Sequence, residues 1–425
     1  MPLEDMLESL FARRRFGIRP GTERVRLLLD RLGHPERTFR TIHVVGTNGK
    51  GSTSAFLSAI LTAAGKRAAL FTSPHLIDFT ERFRIDEQDI DRTTLADRLK
   101  TVLELAPPEA TFFEIVTALG AFCFAEERVE LAIMEAGMGG MSDATAALPG
   151  IMTLISPVAI DHSDYLGTTP EEIAREKIGI AEAGSLVVSA HQTTAVNEVI
   201  DRHCAATGTR LFRAGRDFTG SWSVDGTLAY RGIHATLTDL MPGLTGSYQA
   251  GNAALALAAA ELLASYGVSI STGDMMRGIA QARWPGRMQL IPGPPDLLFD
   301  GAHNTAGMAA LADALMRIPF QRLFLVAGVM EDKEIGRMFA PLIPKADYAF
   351  TVRPSLDRAL DDRRLTDLLS AAGLPSHPCG NVAEGLQRAC SQAAPGDLIL
   401  VCGSLFTVGE ALAHIQGRHF QGIRG

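Results

Sequence analysis

The chain has 425 residues, more than one ordinary core accommodates, so two domains are expected. A 46% hydrophobic and 21% charged composition is that of a soluble globular protein, and a net charge of −8 argues against a nucleic-acid or anionic-membrane surface. Five cysteines (Cys123, Cys204, Cys379, Cys390, Cys402), odd in number and without CxxC spacing, argue against a disulfide frame or a zinc site and fit a reducing cytoplasm.

Residues 1–17 carry acids and then Arg13-Arg14-Arg15, without the apolar centre of a signal peptide. Residues 1–40 pattern as amphipathic helix, with Val25, Leu27, Leu28, Leu29 and Leu32 as the expected buried stripe and turns at Gly17, Gly21 and Gly33. Next comes T-I-H-V-V-G-T-N-G-K-G-S-T at 41–53. Ile42 to Val45 reads as a short buried strand, glycines at 46, 49 and 51 break it, and a helix is expected over 55–64. A strand, a glycine-rich turn with one lysine and a helix start make a phosphate cradle: backbone N–H groups converge on an anion and Lys50 adds a point charge. Val44 and Gly51 stand where the usual P-loop pattern wants Gly and a hydroxyl, so a flexible turn with a solvated lysine is the alternative. The apolar strand and the Ser52-Thr53 pair favour nucleotide binding through Gly46, Thr47, Asn48, Gly49, Lys50, Gly51, Ser52 and Thr53.

Strands are then expected at 67–72, 131–134, 151–155 and 186–189, with helices at 93–105 and 112–126. This alternation predicts an α/β fold, a P-loop-type, mostly parallel sheet with helices on both faces. Ligands bind such sheets outside the carboxyl ends of the strands. Lys50, Ser73, Glu135 and His162 each follow a predicted strand end, so four separated positions share one address. There Glu135 could hold Mg²⁺ and Ser73 could supply a second oxygen, whereas the bland readings are a solvated turn acid at 135 and a structural histidine at 162. Lys177 reads most simply as a surface lysine.

Residues 210–234 suggest a small β excursion, and 251–263 an alanine-rich helix. The uncharged stretches 144–160 and 243–260 read as buried soluble elements, not membrane spans. The Pro- and Gly-rich run over 283–296 is the linker candidate, and strands are expected again at 297–299, 323–326, 348–351 and 398–401. A smaller, Rossmann-like α/β domain over 289–425 is therefore expected to follow a first domain over 1–288.

Taken together, G-T-N-G-K-G-S-T, S-P-H-L at 73–76, E-R-F-R-I at 81–85, E-A-G-M-G-G at 135–140 and D-H-S-D-Y-L-G at 161–167 resemble the folylpolyglutamate synthase/dihydrofolate synthase family of the Mur ligase superfamily. So do E-I-A-R-E-K-I-G-I at 172–180, P-G-R at 285–287, D-G-A-H-N at 300–304, G-V-M-E-D-K-E at 328–334 and G-S-L-F-T-V-G-E-A at 403–411. The resemblance runs in order from about Gly17 to Ala411. It implies ATP-dependent addition of L-glutamate to a folate, and also to dihydropteroate, through an acyl phosphate. It implies ATP and Mg²⁺, with two metal sites expected, and a cytoplasmic monomer. Lys50, Lys177 and His303 become the expected catalytic residues, and Ser73, Glu135, His162 and a carbamylated Lys177 the expected metal ligands. Asn252, Arg287 and Asp300 match nucleotide contacts, while Phe112, Phe113 and Glu114 match a pterin-contacting stretch whose plainer reading is a helix start with two core phenylalanines. Met141 and Ala146 depart from the family's usual arginine and asparagine, which keeps open a related ligase with a different acceptor. A nucleotide-binding regulator and a small-molecule kinase are the readings from other classes.

Overall fold

The computed structural model describes residues 3–13 and 21–422; the turn expected at Gly17, with Arg14 and Arg15, lies outside them. Eight strands form the first sheet: β1 (Arg40–Val45), β2 (Ala68–Phe71), β3 (Phe83–Ile85), β4 (Gln88–Asp89), β5 (Leu131–Glu135), β6 (Gly150–Ile155), β7 (Leu186–Ser189) and β8 (Arg210–Arg213). Their spatial order is β4-β3-β2-β5-β1-β6-β7-β8. The six strands from β2 to β8 in that order run parallel, and β3 and β4 add an antiparallel edge.

Alternation along the strands divides two cores. Ala68, Leu70, Leu131 and Ile133 join the core under the helices Lys50–Ala63 and Gln249–Leu262. Ala69, Phe71, Ala132 and Met134 join the opposite core, under Glu23–Arg31, Arg92–Leu105 and Phe112–Glu126. A strand buried on both faces has no polar side to show, which is why these segments read as unbroken apolar runs. Three antiparallel strands, β9 (Thr219–Trp222), β10 (Leu228–Arg231) and β11 (Thr236–Leu240), form the expected excursion.

A third sheet holds β12 (Gln289–Ile291), β13 (Asp296–Phe299), β14 (Leu323–Ala327), β15 (Tyr348–Thr351), β16 (Ser376–Pro378) and β17 (Leu398–Cys402), in the order β12-β13-β17-β14-β15-β16. All its pairings are parallel except β12 with β13. Helices cover it on both faces through two separate cores.

Four local expectations are corrected. The helix after β1 begins at Lys50, not Ala55, because the left-handed Gly49 (φ 87°) starts it directly from the turn. Leu27 is 42% exposed, since the Glu23–Arg31 helix turns Val25, Leu28 and Leu29 inward instead. Residues 210–213 pair with β7 as an edge strand of the main sheet. The Pro-rich run 283–296 is partly strand, since β12 folds back onto β13. Among the described residues no helix is long and apolar enough to cross a membrane.

The helix Gln249–Leu262 is buried almost all round, as its alanine content requires in a sandwiched position. Near its end, Glu261 accepts from Tyr230 Oη (2.9 Å) and from the backbone N–H of Ile233 (2.8 Å), His234 (3.2 Å) and Ala235 (2.7 Å). One carboxylate thus ties the three-stranded sheet to the helix. Glu261→Ala strands four donors and should lower the unfolding free energy by roughly 2–4 kcal/mol, read as an earlier urea midpoint.

Candidate active site

The turn after β1 is pinned from two sides. Thr47 N–H donates to Pro157 O (2.9 Å), and the Thr47 hydroxyl donates to Ala159 O (2.8 Å) while accepting from Ala159 N (3.0 Å). From the helix Gln249–Leu262, Gln249 Nε2 donates to Ser52 Oγ (3.2 Å), and Asn252 Nδ2 donates to Gln249 Oε1 (2.8 Å). A Cβ at Gly49 would lie 2.5 Å from Asn252 Oδ1, and its φ of +87° disfavours any side chain. Lys50 curls over its own turn, with Nζ donating to the carbonyls of Gly46 and Thr47 (3.3 Å each). Below it, the Thr53 hydroxyl is buried without a hydrogen-bond partner among the described residues. A lysine, a helix N-terminus and a spare hydroxyl are what a phosphate and its counter-cation need.

Beside this cradle lies Glu135, the last residue of β5 and only 6% exposed. Burial pushes its carboxyl up to about 7, against the opposing pull of Lys50, Arg287, the Ser73 N–H and Arg82. Lys177, from the helix Pro170–Ile178, is 2% exposed, and its Nζ donates to Met138 O (2.9 Å). Burial, with the charge of Lys50 next to it, brings this amine down to about 7. Neither residue is therefore the solvated side chain that spacing alone allows. His162 is exposed at the rim in left-handed backbone (φ 51°) and feels the charges of Asp161, Lys333, Lys50 and Lys177. Among the described residues no three His, Cys, Asp or Glu side chains gather to hold a metal. The donors present are carboxylate and hydroxyl oxygens with one imidazole, and no thiol; with phosphate oxygens added, that set suits Mg²⁺.

The third sheet brings a second group to the same edge. Arg287 acts on Glu135 and on Asp300. Asp300 is buried, accepts from Met288 N (2.9 Å), Ala302 N (2.9 Å) and Tyr248 Oη (3.1 Å), and is raised by burial. His303 Nδ1 donates to Gly301 O (2.8 Å), and desolvation holds its ring down to about 4. Asn304 Nδ2 reaches Asn48 Oδ1 (3.1 Å) and Asp161 Oδ2 (3.1 Å), while its Oδ1 caps the next helix at Gly307 N (2.8 Å). Lys333 Nζ lies 3.5 Å from Asp161 Oδ1. Although burial opposes it, the charges of His162, Lys333 and His303 and the Asn304 hydrogen bond hold Asp161 down to about 2.

This junction of a phosphate cradle with a second α/β unit is matched by known proteins. Residues 44–260 match the Mur ligase middle domain, and residues 286–405 the Mur ligase, glutamate ligase domain. A Bacillus subtilis dihydrofolate synthase/folylpolyglutamate synthase is 32% identical over 428 residues, 96% of this chain and 97% of the relative. The chain belongs to the folylpolyglutamate synthase/dihydrofolate synthase family of Mur ligases. It spans about half the length of two haloarchaeal relatives, from Halobacterium salinarum and Haloferax volcanii, each 33% identical over 97% of this chain. The structure of Escherichia coli FolC in complex with DHPP and ADP superposes with a TM-score of 0.90 at 30% identity, over 98% of each chain. A bifunctional folylpolyglutamate synthase/dihydrofolate synthase with Mn, AMPPNP and L-glutamate bound gives 0.87 at 28% identity, again over 98% of each chain.

Within this family member, the stretch Phe112-Phe113-Glu114 divides. Phe112 is buried and stacks on Phe11 (5.6 Å between centroids). Glu114 closes a capping box with Thr111 and accepts from Arg24 Nε (2.9 and 3.1 Å). Both side chains are thus occupied in the fold, and Phe113 is the one packed against the Gly137 turn. That turn is held by Glu176, which accepts from Gly140 N (3.3 Å), Ser142 N (2.8 Å) and Ser142 Oγ. Met141 is 59% exposed above it, and Ala146 is half-buried.

Asp161, Asn304 and Lys333 lie inside quoted motifs, yet only their meeting across the two sheets singles them out. Gln249 and Tyr248 carry no sequence signal. Gly49→Ala must push Asn252 aside and strain the turn, so it should cost about 1–3 kcal/mol of stability in chemical denaturation.

Proposed function

We propose that this chain is an ATP-dependent carboxylate–amine ligase that adds L-glutamate to a folate and also to dihydropteroate. The γ-phosphoryl group passes to a substrate carboxylate oxygen and ADP leaves. The glutamate amine then attacks the acyl carbon, phosphate departs, and the amine loses its proton. The set of Lys50, Glu135 and Lys177 beside the glycine turn, the last two buried, carries this reading, together with the family's complexes holding ADP, DHPP and L-glutamate.

Lys50, close to the turn carbonyls, is the cation for the transferring phosphoryl group. Ser73, Glu135, His162 and carbamylated Lys177 are the residues that would hold Mg²⁺, with two sites expected. That metal, where bound, neutralises phosphate charge. Lys177 suits carbamylation because a buried amine near 7 is substantially neutral at physiological pH, and a neutral amine adds CO₂ with loss of one proton. His303 is neutral with its proton on Nδ1, which leaves Nε2 able to receive the proton of the attacking amine. Arg287, Asp300 and Asn252 belong to the nucleotide side, and Phe113 is the member of its stretch best placed for a pterin. Closure between residues 1–288 and 289–425, the division we assign, excludes the water that would hydrolyse an acyl phosphate. A cytoplasmic monomer belongs to the same reading; all five cysteines are free thiols, which suits a reducing compartment.

A second reading, a related ligase with a different carboxylate acceptor, is favoured by Met141, whose exposed thioether offers no bidentate carboxylate partner. Phosphate release from ATP with Mg²⁺ and glutamate, run separately with dihydropteroate and tetrahydrofolate and followed by product mass, decides between them. Amide product from both substrates is expected. Product from neither, with nucleotide still bound, would favour the altered acceptor.

Lys50→Ala and Glu135→Ala should each lower turnover by at least about a hundredfold in folded protein. Wild-type rates in either would remove the assignment. Lys177→Ala should lose activity and regain part of it with acetate. ¹³C-bicarbonate should label the unaltered protein, not the variant, increasingly as pH rises through about 7, where the amine gives up its proton.

A further inference from the structure

Between β2 and β3 the chain leaves the first sheet and docks on the third. Leu76 and Ile77 pack in one apolar cluster with Phe299, Phe350, Val408 and Leu412. The approach is close enough that a Cβ on Gly409 would fall 2.1 Å from Leu76 O. Inside this loop the Glu81 carboxylate accepts from the backbone N–H of Leu76 (2.6 Å), Ile77 (3.1 Å) and Asp78 (3.0 Å), which fixes its shape. The loop begins at Ser73 and ends at Arg82, a buried guanidinium, and the Ser73 N–H and the Arg82 charge both draw Glu135 toward its charged form.

The segment 418–422 crosses back over this loop. Gln421 N donates to Ile77 O (3.2 Å), and Phe79 N donates to Gln421 Oε1 (2.9 Å). Phe420 packs against the cluster that holds Leu76. The next contact fixes a tautomer: Arg82 Nε can only donate, so His75 Nδ1 accepts from it (2.9 Å), and the ring proton is on Nε2, which donates to Gly422 O (3.3 Å). A chain of contacts thus runs from Gly422 through His75 to Arg82, whose charge acts on Glu135.

We propose that residues 418–422 form a clasp, keyed by Gln421, that fixes the loop 73–82 and through it the position of Glu135. Gln421 is a positioning residue, remote from the reacting atoms, and this role rests on the ligase reading. No part of the phosphate turn touches the clasp in these contacts, so its loss should act on turnover and spare nucleotide affinity.

The test pairs Gln421→Leu, which keeps size and loses the acceptor, with Gln421→Glu, which keeps an acceptor for Phe79 N–H. Gln421→Leu should lower kcat about three- to tenfold, the equivalent of one lost hydrogen bond, with KM for ATP within about twofold. Hydrogen exchange in peptides covering 73–82 should speed up, and Gln421→Glu should restore both readouts. An unchanged kcat alongside faster exchange would leave the clasp a purely structural tie and overturn the proposal. Unchanged exchange would overturn the contact itself. Absence of glutamate-dependent turnover in the unaltered chain would remove the ligase reading and the positioning role with it, while the exchange rates still report on the clasp.

Discussion

A buried amine and a buried carboxylate sit beside a half-buried lysine at the carboxyl edge of one parallel sheet. Lys177 and Glu135 each cost free energy to keep there, and the positive charge of Lys50 moderates the cost of the carboxylate while adding to that of the amine. Glu135 is drawn toward its charged form by Lys50 and Arg287, while Lys177 is pushed toward neutrality by Lys50. Lysines crowded around one glycine turn are a poor arrangement for the empty protein. It becomes a good one when phosphates and a divalent cation complete it. The surrounding fold accepts that local cost because two fully packed cores hold the strand ends in place.

The second constraint is the junction. Asn304 contacts Asn48 and Asp161, and Lys333 pairs with Asp161, so the phosphate turn and the third sheet share one polar seam. On the far side of Glu135 the loop 73–82 makes an apolar joint with the third sheet. A polar seam re-forms easily with water, whereas an apolar joint resists parting. The two sheets are thus held firmly at the loop and more loosely at the glycine turn, a distribution that suits the nucleotide site proposed there.

Much of this was readable in the chain. Strand runs buried on both faces gave the parallel sheet, since a two-sided burial leaves an unbroken apolar signature. The glycine turn was legible because left-handed backbone at Gly49 tolerates almost nothing else. Less legible were the short strands β3, β4, β12 and β16, which lack room for a period to show. Leu27 misled because a run of three leucines hides which face turns inward.

Composition, alternation and the ordered motifs by themselves determined the α/β class, the carboxyl-edge address and the family. Tertiary structure alone decided which side chains lose water. Lys177 reads as a surface residue until the helix Pro170–Ile178 packs it under Met138 O, and nothing local to Glu114 announces the Arg24 guanidinium that pairs with it from ninety residues away in sequence. Desolvation and pairing are properties of what surrounds a group in space, and local sequence carries no record of those neighbours.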